Sequence, residues 1–121
     1  IFYVLVHLLK TIIRINIYSS MKKYSNFKDF YPYYLSEHSD KNTKLMHFIG
    51  TALSILFFIN FLLTFNPLNL LFGVLSGYGF AWIGHFFIEK NKPATFTHPI
   101  LSLMSDYVMF WEIIRGKHKI F

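Results

Sequence analysis

The chain has 121 residues, of which 54% are apolar and 21% are aromatic, so by length it is one domain with an unusually high share of large apolar side chains. Small soluble domains bury a smaller fraction of their surface than large ones do, so a soluble chain of this length has little interior for so many large apolar side chains. Lipid is therefore the favoured solvent. The chain contains no cysteine, which excludes disulfides, thiolate metal sites and cysteine nucleophiles. Any metal must therefore be held by His, Asp or Glu.

The formal net charge of +6 could suggest a nucleic-acid partner, but the placement of the charges argues against one. No Asp, Glu, Lys or Arg lies between Lys44 and Glu89. A nucleic-acid binder interleaves basic residues with aromatic ones on an exposed face, whereas the basic residues of this chain flank an apolar block. The sequence therefore predicts a protein whose partner is a lipid bilayer and not nucleic acid.

Residues 1–20 form an apolar stretch interrupted by Lys10 and Arg14. They have no basic segment before the apolar run and no small-residue cleavage site, so they do not resemble a signal peptide. We predict that residues 1–20 are a non-native or interfacial extension, and that residues 21–121 form a single membrane-embedded domain. No role is predicted for His7.

Apolar and aromatic residues recur at helical spacing from Phe27 to Leu35, which predicts a short amphipathic helix in the membrane interface. Pro32 is expected near the first turn of this helix, where proline is tolerated. The next polar residues predict a turn, and each of them can cap the following helix; they are Ser39, Asp40 and Asn42.

Two apolar segments of similar length follow, Leu45–Phe65 and Leu70–Ile88. At about 1.5 Å per residue, each can cross a hydrocarbon core roughly 30 Å thick. Asn66–Asn69 between them reads as a turn, so the pair predicts a transmembrane hairpin. Basic residues lie on both sides of the hairpin and not in its turn. The positive-inside rule therefore places both ends of the hairpin on the cytoplasmic side.

A third helix is predicted from Pro99 to Gly116, because proline suits the first helical position and glycine suits the stop. It contains Asp106 and Glu112, which favours an amphipathic helix over a membrane span. The predicted fold class is all-α: a small helical integral membrane protein, with a transmembrane hairpin and flanking amphipathic or membrane helices.

Four of the six histidines are predicted to lie at one membrane level. His47 and His85 are almost equally far in sequence from the hairpin turn, so an antiparallel hairpin places them at the same depth. His38 precedes the first span and His98 follows the second. A single interfacial histidine commonly snorkels towards water, but several ionisable groups at one level in a bilayer indicate function.

Neutral imidazole is the commonest metal ligand, so these four histidines predict a metal site. Without a thiolate, Fe(II), Zn and Cu all suit such a site. Three carboxylates could support the imidazoles through hydrogen bonds; they are Glu37, Glu89 and Asp106. For Glu89, an ordinary interfacial helix end is an equal alternative, and His118 in the basic tail has no predicted role.

Two long stretches carry a resemblance: "FYPYYLSEHSDKNTKLMHFIGT" and "GYGFAWIGHFFIEKNKPATFTHPILSLMSDYVMFWEIIRGK". They resemble the signature blocks of a family of small membrane proteins from bacteria and fungi, and the likeness extends over residues 27–117. The characterised fungal member is an iron-dependent 2-hydroxy fatty acid dioxygenase of the endoplasmic reticulum that acts in phytosphingosine breakdown.

This resemblance implies an Fe(II) enzyme that uses O2 to shorten a 2-hydroxy fatty acid by one carbon. It also implies that the catalytic and metal-binding residues are His38, His47, His85 and His98. The implied location is a bacterial inner membrane or the endoplasmic reticulum membrane, with the metal site towards the cytoplasm.

Two other function classes stay open at this point. One is a non-catalytic membrane protein whose histidines hold a structural or transported metal. The other is a zinc-dependent lipid hydrolase, which needs no oxygen.

Overall fold

The computed structural model describes residues 1–21 and 23–120, with the backbone alone for residues 15–21. This part of the chain folds into helices and contains no strand, which confirms the predicted all-α class. In chain order the elements are α1 (Phe2–Met21), α2 (Phe27–Ser36), α3 (Lys41–Thr64), α4 (Leu68–Ile83), a π-helical segment (Gly84–Glu89), a short 3-10 helix (Ala94–Phe96) and α5 (Pro99–Ile114).

The predicted hairpin is present as α3 and α4, with two shifted boundaries. Helix α3 begins at Lys41, before the apolar segment, because the side chain of Asp40, one of the predicted caps, accepts a hydrogen bond from the backbone N–H of Asn42 at 2.8 Å. Helix α4 begins at Leu68, so the turn is shorter than the predicted Asn66–Asn69. The side chain of Asn66 accepts a hydrogen bond from the Leu68 N–H at 3.0 Å and starts the helix there.

Two stretches are long and apolar enough to cross a membrane: Lys41–Thr64, and Leu68–Glu89, which joins α4 to the π-helical segment. Large apolar side chains project outward along both of them. Leu56 is 61% exposed, and Leu63 near the hairpin turn is 77% exposed. Such a surface matches lipid better than water.

Glycines allow close contact between the two hairpin helices. A Cβ atom at Gly50 would lie 3.0 Å from the Cβ of Phe80 and 3.1 Å from the carbonyl oxygen of Gly77. A Cβ atom at Gly84 would lie 3.0 Å from the Cγ2 of Thr43. Small residues at such crossings let membrane helices pack backbone to backbone, and here they bring the start of α3 against the π-helical segment.

Helices α2 and α5 pack together beside this end of the hairpin. Phe30 and Tyr34 of α2 are buried against Met109 and Ile113 of α5. Pro32 lies in the second turn of α2, and not near its first turn as expected from the sequence, yet the helix continues to Ser36. The core of the protein therefore lies next to the hairpin end that carries the histidines.

Helix α1 precedes this domain. Its described apolar side chains are almost all exposed. The predictions that residues 1–20 are an extension and that residues 21–121 form one domain stay predictions.

Candidate metal centre

Three histidines from three separate segments converge in the protein interior. His38 lies in the loop after α2, His47 lies on α3 and His85 lies on the π-helical segment, and all three are buried. The Nε2 atoms of His38 and His47 are 3.0 Å apart, and those of His47 and His85 are 3.1 Å apart. One ring nitrogen from each residue lies within 4.8 Å of the other two.

Tyr34 supports two of these imidazoles. Its backbone carbonyl accepts a hydrogen bond from Nδ1 of His38 at 2.6 Å, and its ring stacks on His38 with centroids 4.0 Å apart. Its hydroxyl donates to Asp106, and Oδ1 of Asp106 also accepts from Nδ1 of His47 at 3.1 Å. Burial and the Asp106 carboxylate raise the pKa of Tyr34 well above its usual value, so the hydroxyl keeps its proton.

Asn91 supports the third imidazole. Its amide nitrogen donates to the backbone carbonyl of Glu37 at 3.0 Å and to the Glu37 carboxylate at 2.7 Å. These two bonds turn its amide oxygen towards His85, whose Nδ1 donates to it at 2.7 Å. Asn91 reaches back to His85 because the π-helical segment ends at Lys90 in the left-handed conformation, with φ of 58°.

The hydrogen bonds fix which nitrogen of each ring holds the proton. Each Nδ1 faces an oxygen that only accepts, so Nδ1 carries the hydrogen and Nε2 keeps its lone pair. Burial and the neighbouring His47 hold the pKa of His38 well below its usual value, which keeps that ring neutral. Three lone pairs that face one another at these distances repel, and a cation among them removes the repulsion.

The donor set therefore fits a divalent transition metal. Three neutral imidazole nitrogens suit Fe(II), Zn or Cu, and each ligand is oriented by a hydrogen bond at its other nitrogen, as metal-binding histidines usually are. Three protein ligands leave coordination positions for other molecules.

His98 lies outside this group of three. It precedes α5 and its ring packs against Phe30, with centroids 5.1 Å apart. Its Nδ1 lies 2.9 Å from the Thr97 hydroxyl oxygen, while its Nε2 is buried and contacts no hydrogen-bonding partner within the described chain. Burial, together with the nearby Lys23, lowers the pKa of His98. Its role as a ligand stays a prediction.

The three predicted supporting carboxylates occupy different positions. Asp106 contacts His47 directly, and Glu37 acts on His85 through Asn91. Glu89 contacts no histidine of the group: it accepts hydrogen bonds from the backbone N–H of Asp40 at 2.6 Å and from the Ser39 hydroxyl at 3.0 Å. It thereby holds the loop after His38 against the end of the π-helical segment.

Sequence reasoning missed Tyr34 and Asn91. Tyr34 precedes His38 by one helical turn, and this spacing was a usable signal. Asn91 had no such signal, because its contact with His85 depends on the π-helical geometry and on the left-handed Lys90.

A cavity of about 300 Å³ opens from this centre between α3, α4 and α5. His47, His85 and Asp106 line one end of it, and Phe58 and Asn69 line the other. Most of its wall is apolar, so it offers an apolar molecule a path to the three imidazoles.

Comparison with known families decides the assignment. The family model described as "2-hydroxy-palmitic acid dioxygenase Mpo1-like" matches residues 24–118. The chain belongs to this family. The match confirms the resemblance found in the sequence, and it leaves α1 outside the family region. No curated protein and no solved structure matches the chain.

Proposed function

We propose that the protein is an Fe(II)-dependent dioxygenase that shortens 2-hydroxy fatty acids by one carbon within a membrane. The observation that carries this proposal is the convergence of three Nε2 lone pairs at 3.0 and 3.1 Å, each set by a hydrogen bond at Nδ1. The family description supplies the reaction class.

His38, His47 and His85 hold the metal through Nε2 in this proposal. Bound iron would supply the redox chemistry with O2 and a Lewis-acid centre for the oxygen atoms of the substrate. Asp106 accepts a hydrogen bond from Nδ1 of His47 and places a negative charge beside the ligands, which raises the basicity of that imidazole. The Tyr34 carbonyl keeps the proton of the His38 ring on Nδ1, and Asn91 does the same for the His85 ring.

The cavity beside the centre suits the rest of the substrate. A 2-hydroxy fatty acid has two oxygen-bearing groups at one end and an alkyl chain at the other. The imidazole end of the cavity is polar and the remainder is mostly apolar, so the substrate's carboxylate and hydroxyl face the metal while its chain follows the hairpin helices.

The surrounding solvent is proposed to be a bilayer. In this proposal the two helices that are long and apolar enough cross it, with His47 and His85 near their ends that have flanking basic residues and His38 in the loop before α3. By the positive-inside rule the metal faces the cytoplasm, in either a bacterial inner membrane or the endoplasmic reticulum membrane.

The test combines metal analysis with an oxygen-dependent assay. The detergent-solubilised protein is loaded with Fe(II) and incubated with 2-hydroxypalmitate, with and without O2. We expect the protein to bind iron and to form a fatty acid one carbon shorter only when O2 is present. Both the bound iron and the product should be lost in His47→Ala and in His85→Ala. The matched control is His118→Ala, because His118 contacts Glu112 and not the metal centre.

Each other outcome has a definite meaning. Formation of the shortened acid without O2 contradicts the proposal, because loss of one carbon from a 2-hydroxy acid is an oxidation and O2 is the proposed oxidant. Iron binding without turnover of any 2-hydroxy acid supports a non-catalytic metal protein. A folded protein that binds no metal contradicts the metal centre itself.

A further inference from the structure

One face of α3 forms a wall of the cavity. Thr51, Ser54 and Phe58 line it at helical spacing beyond His47. From His47 to Phe58 the chain advances eleven residues, or about 16 Å at 1.5 Å per residue. The cavity is therefore a groove that runs along the hairpin axis, away from the imidazoles.

The facing wall on α4 has small residues along its length. Gly73, Gly77 and Ala81 line the groove, together with the larger side chains of Val74 and Tyr78. A Cβ atom at Gly77 would lie 3.8 Å from the Cβ of Ser54, so α3 and α4 are in van der Waals contact here, and a long side chain at position 77 would take up space in the groove that the two residues line.

A polar cluster lies at the far end of the groove. Asn69 is buried, accepts a hydrogen bond from the Asn60 amide at 2.9 Å and donates one to the Thr64 hydroxyl at 3.2 Å. These groups satisfy one another, and an alkyl chain that reached them would contact polar atoms. The apolar part of the groove thus has a defined length.

This length corresponds to an acyl chain. An extended alkyl chain with C–C bonds of about 1.52 Å and bond angles near 111° advances roughly 1.25 Å per bond. A groove of about 16 Å then takes on the order of thirteen bonds of such a chain. The imidazoles lie at one end, where the reacting carbon of the substrate must be.

We propose that the groove selects the acyl chain length of the substrate, with Gly77 setting its width at the middle and Phe58 and Asn69 setting its end. The occupant is the alkyl tail of the fatty acid whose head lies at the metal. This inference rests on the proposed function, since it takes its ligand class from there.

The test measures binding separately from turnover. A fluorescent fatty acid is displaced from the detergent-solubilised protein by saturated 2-hydroxy acids of eight to twenty carbons. In Gly77→Leu we expect the affinity for the longest acids to fall about tenfold for every two methylenes that lose their place in the groove. The shortest acids keep their wild-type affinity.

Gly79→Leu is the matched control, because Gly79 lies on the same helix, does not line the groove and has nothing within 4 Å of its Cβ direction. Phe58→Ala should act in the opposite sense and move the preference towards longer acids. If Gly77→Leu fails to fold, Val74→Phe and Leu75→Phe form a second pair. Val74 is 56% exposed and lines the groove, whereas Leu75 is 58% exposed and does not.

The results separate the two proposals. Equal chain-length profiles in Gly77→Leu, Gly79→Leu and the wild type overturn the inference, while O2-dependent turnover still supports the proposed function. A shifted profile in a protein without turnover supports the groove and overturns the dioxygenase.

Discussion

The two ends of the hairpin are built from the same two apolar helices but differ in what covers them. At the histidine end, Thr43, His47 and His85 are buried, and α2 and α5 pack beside them. At the turn end, Leu63 and Phe65 are 77% and 75% exposed. Protein covers one end, whereas the other end presents apolar side chains that the proposed bilayer would cover, so helices of almost uniform hydropathy would meet two environments.

The largest expected effect tests the lipid end. Leu56 lies near the middle of α3 and is exposed. If lipid surrounds it, Leu56→Arg raises the free energy of membrane insertion by about 3 kcal/mol. The fraction of protein that resists alkaline extraction from vesicles measures this effect.

Leu56→Phe is the control and should insert like the wild type. In water, an exposed Leu56→Arg change would alter stability by no more than about 0.5 kcal/mol. Full insertion of Leu56→Arg would therefore contradict the assignment of the turn end to lipid.

The next effect tests the protein-covered end. Asp106→Asn removes the negative charge beside His47 and leaves one neutral amide oxygen to accept the hydrogen bonds from both His47 and Tyr34. We expect the affinity for Fe(II) to fall about 10- to 100-fold, as for other changes to groups that support metal ligands. Competition with a metal-binding dye measures the affinity.

Asp29→Asn makes the same chemical change at an exposed site on α2, where Asp29 bonds to Asn26. Its Fe(II) affinity should match that of the wild type. Equal affinities in Asp106→Asn and Asp29→Asn would mean that Asp106 does not support the metal centre.

The smallest effect separates two neighbouring tyrosines of α2. Tyr34 donates a hydrogen bond to Asp106. Tyr31 donates one to Glu112, which also bonds to Lys117 and to none of the three imidazoles of the metal centre. Tyr31→Phe should lower the free energy of unfolding by about 1 kcal/mol and leave Fe(II) affinity unchanged. Thermal unfolding and dye competition on the same samples measure both quantities.

Tyr34→Phe completes this comparison and should weaken Fe(II) binding. Burial and the Glu112 carboxylate raise the pKa of Tyr31, so both hydroxyls are protonated donors at neutral pH. A loss of metal affinity in Tyr31→Phe equal to that in Tyr34→Phe would show that the two bonds are not functionally distinct.

Much of the fold follows from patterns that are local in sequence. The length of the two apolar segments predicted the hairpin. The positions of a proline and a glycine predicted the two ends of α5 to within two residues. Equal distance from the turn predicted that His47 and His85 would face each other, and the 3.1 Å contact between their Nε2 atoms confirms that geometry. These inferences needed helical rise and little else.

Other parts of the site depend on contacts that no local pattern encodes. No local pattern predicts that Gly84–Glu89 forms a π-helical segment, and the return of Asn91 to His85 depends on this segment. His98 was also predicted as a ligand; the structure groups the other three histidines, while the His98 ring packs against Phe30, so its place among the ligands stays a prediction.

The double use of Tyr34 has a thermodynamic consequence. Its carbonyl holds His38, and its hydroxyl holds the carboxylate that orients His47. Helix α2 therefore cannot detach without releasing two imidazoles together. Docking of α2 and occupancy of the three imidazoles are linked equilibria, so an ion that binds them stabilises the docked helix, and docking of α2 strengthens ion binding by the same coupling free energy.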